Sequence, residues 1–218
     1  MTVAAFSSAD LAFAPVEHQY FLPHRRRVPS VTEILRSVGV SVDFNVIARI
    51  SADLGEAIEL KRDLGHALHA DAHAFDDDDL LWETVDPQVE PYLRAWATFR
   101  DNSGLVPVTR ERMVYHGDLG YCGTFDGIFR RANGALVLVD IKTGNPADSG
   151  CQYQTAGYQL AHEAEHPNGE RVSERWGVQL TPGNRIPYRV FPYSDWNDFN
   201  AWRAFVTTYF CQASRRAA

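Results

Sequence analysis

Side chains alternate between apolar and polar from Gly123 to Arg130, turn polar around Asn133-Gly134, then run apolar from Ala135 to Val139 and end in Asp140-Ile141-Lys142. Asn-Gly between two apolar segments predicts a β-hairpin. Leu105 to Tyr115 alternates as a preceding strand, joined to the hairpin by the turn His116-Gly117-Asp118-Leu119-Gly120. Arg175 to Leu180 and Ile186 to Phe191 read as a further strand pair across Pro182-Gly183-Asn184. Helical spacing marks other segments. Asp53 to Phe75 is helical, with Gly55 and Gly65 as candidate break points, and the acidic run Asp76 to Asp79 ends it as a solvated loop. Gln88 to Asn102 sets Tyr92, Trp96 and Phe99 on one side of an amphipathic helix. Cys151 to Glu165 is another. Ser194, Asp195 and Asp198 open a last helix that Arg215 and Arg216 close, each sign matched to the helix dipole.

The first 40 residues are less regular. Residues 1 to 16 read as a lead-in without clear period. His18 to Leu22 and Arg25 to Val28 form a short hairpin with Pro23 in its turn. Ser30-Val31-Thr32-Glu33 has the form of a capping box and opens a helix that stops at Gly39. The element order predicts a single α/β domain, residues 1–218, on a mixed central β-sheet.

Composition narrows the class. A chain of 218 residues with 45% hydrophobic and 22% charged content suits a globular protein with a buried core. No secretory leader and no run near 18 apolar residues is present, so a cytoplasmic location is expected and no membrane association. Cys122, Cys151 and Cys211 are far apart and lack Cys-x-x-Cys spacing, so neither a disulfide framework nor a zinc or iron–sulfur cluster is indicated. The net charge of −7 gives no whole-molecule attraction to nucleic acid. Carboxylates that hold divalent cations reverse that sign locally.

Charge placement then raises candidates. Asp140 and Lys142 are one strand period apart and point together, with Asp126 on the partner strand. This is a metal site with a lysine beside it, or a salt bridge at a strand end. Of 21 basic residues only Lys61 and Lys142 are lysine, so lysine at 142 looks chosen for its chemistry. His66, His69 and His73 lie at i, i+3 and i+7 on one helix stripe, which is a zinc-binding face or a set of separately packed imidazoles. Arg25-Arg26-Arg27 beside a helix start is a phosphate contact or a solvated turn. Gln154 and Tyr158 sit one helical turn apart.

Taken together, Gly65-x-x-x-His69, Glu111, Gly123-Thr124-Phe125-Asp126, Asp140-Ile141-Lys142-Thr143-Gly144 and Gln154-x-x-x-Tyr158 resemble, in order, the motifs of the PD-(D/E)xK nuclease superfamily and its RecB-like and phage exonuclease branch. The early segment HQYFLPHRRRVPSVTEIL looks like the N-terminal hairpin and helix of phage-encoded members. The likeness covers residues 17 to 160. Phe125 replaces the proline that names the superfamily, and the iron–sulfur cysteines of some relatives have no counterpart.

The resemblance implies a restriction-endonuclease-like fold and a DNA nuclease, foremost an exonuclease of phage or bacterial recombination. It implies Mg2+ or Mn2+ held by His69, Asp126, Asp140 and the carbonyl of Ile141. Lys142 would face the attacking water, Glu111 would add a second contact, and Gln154 and Tyr158 would position DNA. DNA ends, a single-strand annealing protein or helicase, and further copies of the chain are the implied partners. The chemistry asks for these residue types independently. Magnesium takes carboxylates, water and phosphate, manganese tolerates a mixed N/O set, and a lysine offsets charge on the phosphorane-like transition state. Two other readings are a non-catalytic nucleic-acid-binding or assembly protein on a degenerate nuclease fold, and a zinc hydrolase built on His66, His69 and His73.

Overall fold

The computed structural model describes residues 6–15, 18–41 and 52–216, beginning with a small three-stranded sheet. Strands β1 (Ala12–Ala14), β2 (Gln19–Leu22) and β3 (Arg26–Val28) pair antiparallel in that order. The β2–β3 hairpin matches expectation. The lead-in does not: β1 comes from it, while residues 1–5 and 16 lie outside the described part. Its basis is the free edge of β2, which short apolar residues can pair with while Leu11 joins a small core of Tyr20, Leu22 and Val28.

Helix α1 (Val31–Ser37) begins where Ser30 Oγ accepts the Glu33 N–H at 3.1 Å. Only half of the capping box forms, because the Glu33 carboxylate is taken by Arg27 at 2.9 Å and Tyr209 at 2.7 Å. Helix α2 (Ala52–Asp76) runs unbroken through Gly55 and Gly65. Its burial of Leu68 and Ala72 against Leu93, Trp96 and Phe99 of α3 (Glu90–Ser103) outweighs the ~1 kcal/mol a helical glycine costs.

The main sheet has five strands in sequence order: β4 (Val106–His116), β5 (Tyr121–Arg130), β6 (Leu136–Lys142), β7 (Val172–Leu180) and β8 (Tyr188–Tyr193). All neighbours are antiparallel except β6 and β7, which are parallel and are joined through helix α4 (Cys151–Glu165). This is a mixed α/β fold with helices on both faces. β6 is buried along most of its length, as the unbroken apolar run requires of a central strand covered on both sides. Leu136 and Leu138 face α1, α4 and α5 (Asn197–Arg216), while Val137, Val139 and Ile141 face α2 and α3. Among the described residues no helix is long and apolar enough to cross a membrane.

Asp198 lies in the first turn of α5, as expected. It is buried and bonded at 2.9 Å to Arg175, itself 3% exposed, so the pair bridges β7 and α5 inside the protein. The α4–α5 contact depends on a missing side chain. A Cβ on Gly157 would stand 2.7 Å from the Trp202 indole, whose ring is fully buried. Gly157→Ala should therefore destabilise the fold by roughly 1–3 kcal/mol through overpacking. The measurement is the urea unfolding midpoint; an unchanged midpoint would mean that the two helices can separate freely.

Candidate active site

β5 and β6 pair only as far as Gly127 and Val139. Beyond that point Asp126 reaches across, and its Oδ2 accepts the Ile141 N–H at 2.6 Å. A carboxylate thus satisfies a main-chain donor where the ladder ends. Its other oxygen lies 3.1 Å from Nδ1 of His69 on α2. On β6, Lys142 Nζ lies 2.5 Å from Asp140 Oδ2, so the two side chains do point together. The same oxygen accepts the thiol of Cys151, the first residue of α4, at 3.3 Å.

Strand β4 is kinked opposite Asp126. Glu111 on β4 has φ 40°, a left-handed conformation that costs a non-glycine residue on the order of 1–3 kcal/mol. It stands opposite Asp126, between the pairs Arg110–Gly127 and Arg112–Phe125. Side-chain alternation in β5 slips there. Phe125 and Ile128 both enter the core beneath α4, whereas Thr124, Asp126 and Phe129 line a cleft on the α2 side. Strict alternation would have sent Asp126 and Ile128 to one face. Gly123 serves the other side: a Cβ there would meet the Tyr158 ring at 2.6 Å.

Four charged groups share this buried region, and two neighbouring carboxylates do not ionise independently. At Asp126 burial opposes ionisation, but His69, Lys142 and the Ile141 N–H outweigh it and hold the carboxyl below its usual range. At Asp140 burial prevails over Lys142, the charge on Asp126 adds to it, and the carboxyl is pushed up. Burial opposes charge on Lys142 and His69 too. The carboxylates reverse this, so both hold their protons more tightly than usual.

The cleft has a volume of about 540 Å³, and all three histidines of the α2 stripe line it. Their partners differ. His66 stacks on His18, His69 meets Asp126, and His73 lies 3.6 Å from Asp77 and 3.9 Å from Glu111. Among the described residues no three His, Cys, Asp or Glu side chains gather around one point. The stripe is therefore three separately held imidazoles, not an assembled zinc face. For a hard cation the donor chemistry fits: two carboxylates and one imidazole. The 3.1 Å contact between His69 and Asp126 is an ion pair, and the expected convergence of His69, Asp126 and Asp140 on one point is not seen among the described residues. Asp140 is turned to Lys142 and Cys151.

Glu111 lines the cleft with its carboxylate half-exposed. Gln154 and Tyr158 do not line it; they are buried on the α4 side and bonded to each other at 3.1 Å. Three residues of the region escaped sequence reasoning. Tyr20 bonds Thr124 at 2.9 Å across 104 residues, and Cys151 reaches Asp140 only because α4 starts behind β6. Neither has a local signature. Asp76 had one, since Leu68, Ala72 and Asp76 recur every four residues along α2. The acidic run is not wholly solvated: the Asp76 side chain is 4% exposed, 3.2 Å from Arg100.

No family model and no curated protein matches the chain. Among solved structures it is similar to a Eubacterium rectale protein that carries the provisional name of an exonuclease, at 11% identity and a TM-score of 0.47. The alignment covers 70% of this chain and 65% of that one, so the chain spans less than two thirds of the neighbour's length.

Asp76 yields a pH test. Burial outweighs the attraction of Arg100 and Arg110 and raises its carboxyl from 3.8 to about 6. Between those values the unfolded chain releases the proton while the folded chain keeps it, so Asp76 makes the fold less stable as pH rises from about 4 to about 6. Asp76→Asn lacks this loss. Relative to wild type it should gain about 2–3 kcal/mol between pH 4 and pH 7.5, read from urea unfolding. A difference that stays constant with pH would show that Asp76 titrates normally.

Proposed function

We propose that the chain is a divalent-metal-dependent nuclease of the PD-(D/E)xK kind that hydrolyses DNA phosphodiester bonds, acting on strand ends as an exonuclease in phage or bacterial recombination. One observation carries the reading. His69 from α2, Asp126 from β5, and Asp140 and Lys142 from β6 form one mutually interacting charge group, buried at Asp140, where two strands part. Structural ion pairs are normally exposed or closed into the core. This group instead borders a cleft large enough to admit a nucleotide, with His69 and Asp126 in its wall.

His69, Asp126, Asp140 and the main-chain carbonyl of Ile141 would hold Mg2+ or Mn2+. Such an ion supplies an activated water and offsets charge on the phosphoryl oxygens. The residues define the remaining roles. Lys142, held by Asp140, would orient or deprotonate the water and offset the developing phosphorane charge. Asp140 fixes that ammonium at 2.5 Å, and Cys151 limits the rotation of Asp140 by donating to the same oxygen. The Ile141 N–H fixes Asp126. Glu111 reaches the cleft from the kinked strand and adds a carboxylate near His73. A single-strand annealing protein or helicase and further copies of the chain belong to the same reading as partners.

The test is incubation of linear single- and double-stranded DNA with Mg2+ or Mn2+. Wild type should degrade it, chelation should stop it, and Asp140→Ala and Lys142→Ala should each lower the rate on the order of 100-fold or more. Circular dichroism checks that the variants fold. Cleavage that survives both substitutions would falsify the assignment. DNA binding by wild type without cleavage under either metal would leave the non-catalytic binding protein as the reading.

A further inference from the structure

The cleft continues past His69 to a wall built by the N-terminal sheet. Leu11 is buried in the small core beneath that sheet; Phe13, two residues on, overhangs the cleft and is 39% exposed. Its ring stands edge-on to His18, with centroids 5.1 Å apart at 88°, and leans on Tyr20 at 4.8 Å. His18 in turn lies flat against His66 of α2, at 6.1 Å and 10°. Aromatic rings therefore meet from both sides of the cleft mouth. Tyr20, hydrogen-bonded to Thr124, ties this wall to the strand that carries Asp126.

The charges that act on His18 are cationic, while Asp76, Glu111 and Asp126 line the rest of the cleft. Burial, then the neighbouring His66, Arg36 and Arg62, favour the uncharged form of His18. An uncharged imidazole offers a flat aromatic face, and cationic side chains nearby match a phosphate backbone. Rings beside positive charge are how single strands are held without base readout. His18 also adopts φ 50°, a left-handed backbone that the wall maintains against its steric cost.

We propose that Phe13, His18 and His66 form a stacking site for the bases of an unpaired nucleic-acid strand, placed so that a phosphodiester of the same strand reaches His69 and Asp126. The choice of ligand rests on the nuclease reading above. The site takes a single strand and not a duplex, because a paired base already has both faces covered by its neighbours.

Fluorescence anisotropy in EDTA tests this without turnover. The probes are labelled oligothymidylate, an abasic strand with the same number of phosphates, and a duplex of equal length. Wild type should bind oligothymidylate more tightly than either of the others. Phe13→Leu, which keeps an apolar contact with Tyr20, should reduce the preference for oligothymidylate over the abasic strand roughly ten-fold, and Phe13→Tyr should restore it. Equal binding of base-bearing and abasic strands by wild type would overturn the proposal. So would a Phe13→Leu variant that keeps the preference, or one that loses affinity equally for both strands. The two readings fail separately. A protein that shows the preference yet cuts no DNA in the metal assay loses its nuclease assignment and keeps the stacking site. One that cuts but shows no preference does the reverse.

Discussion

Asp126 and Asp140 sit on neighbouring strands, Asp140 buried and Asp126 in the cleft wall, and a carboxylate drawn out of water needs either a cation or a proton. The surrounding structure answers that demand piece by piece. His69 and the Ile141 N–H serve Asp126; Lys142 and Cys151 serve Asp140. Of these groups Asp140 is the buried one, so losing Lys142 would leave its charge without a cation in a low-dielectric interior. The positions of α2, the end of β6 and the first turn of α4 are therefore coupled through electrostatics as well as through packing.

Backbone distortion makes the arrangement possible. A regular β5 would alternate its side chains straight through and carry Asp126 to the same face as Ile128. Instead Asp126 keeps step with Thr124 toward the cleft, and alternation is lost between Asp126 and Ile128, where the β5–β6 ladder ends and Glu111 opposite is left-handed. The strain is borne by a sheet whose two faces are held by separate large cores. Gly123 adds a complementary accommodation on the opposite face by letting the Tyr158 ring approach the strand. The motif Gly-Thr-Phe-Asp thus has a physical reading at each position. Gly123 admits Tyr158, Thr124 bonds Tyr20, Phe125 packs in the core, and Asp126 joins the charge group.

The small N-terminal sheet gives the cleft its second wall. It is held by the Tyr20–Thr124 bond and by Cys122, whose backbone N–H donates to the Pro29 carbonyl at 3.0 Å. Aromatic side chains at the rim and carboxylates at the floor give one cleft two chemically different ends.

Local periodicity was enough to determine the strands of the main sheet, the α4 helix and the side-by-side placement of Asp140 and Lys142, because strand period and turn chemistry act over a few residues. It also placed the three histidines on one stripe of α2, and that stripe does face the cleft. The sequence left open what each histidine meets, since those partners come from residues tens of positions away. The β1 strand, the buried Asp76 and the Asp198–Arg175 pair were decided by tertiary contacts that override the local preference of polar or featureless segments for solvent. The same holds for the slip in β5. The neighbouring strand is irregular there, with Glu111 left-handed and the register shifted between Pro107 and Thr109, and no pattern within residues 121–130 encodes that.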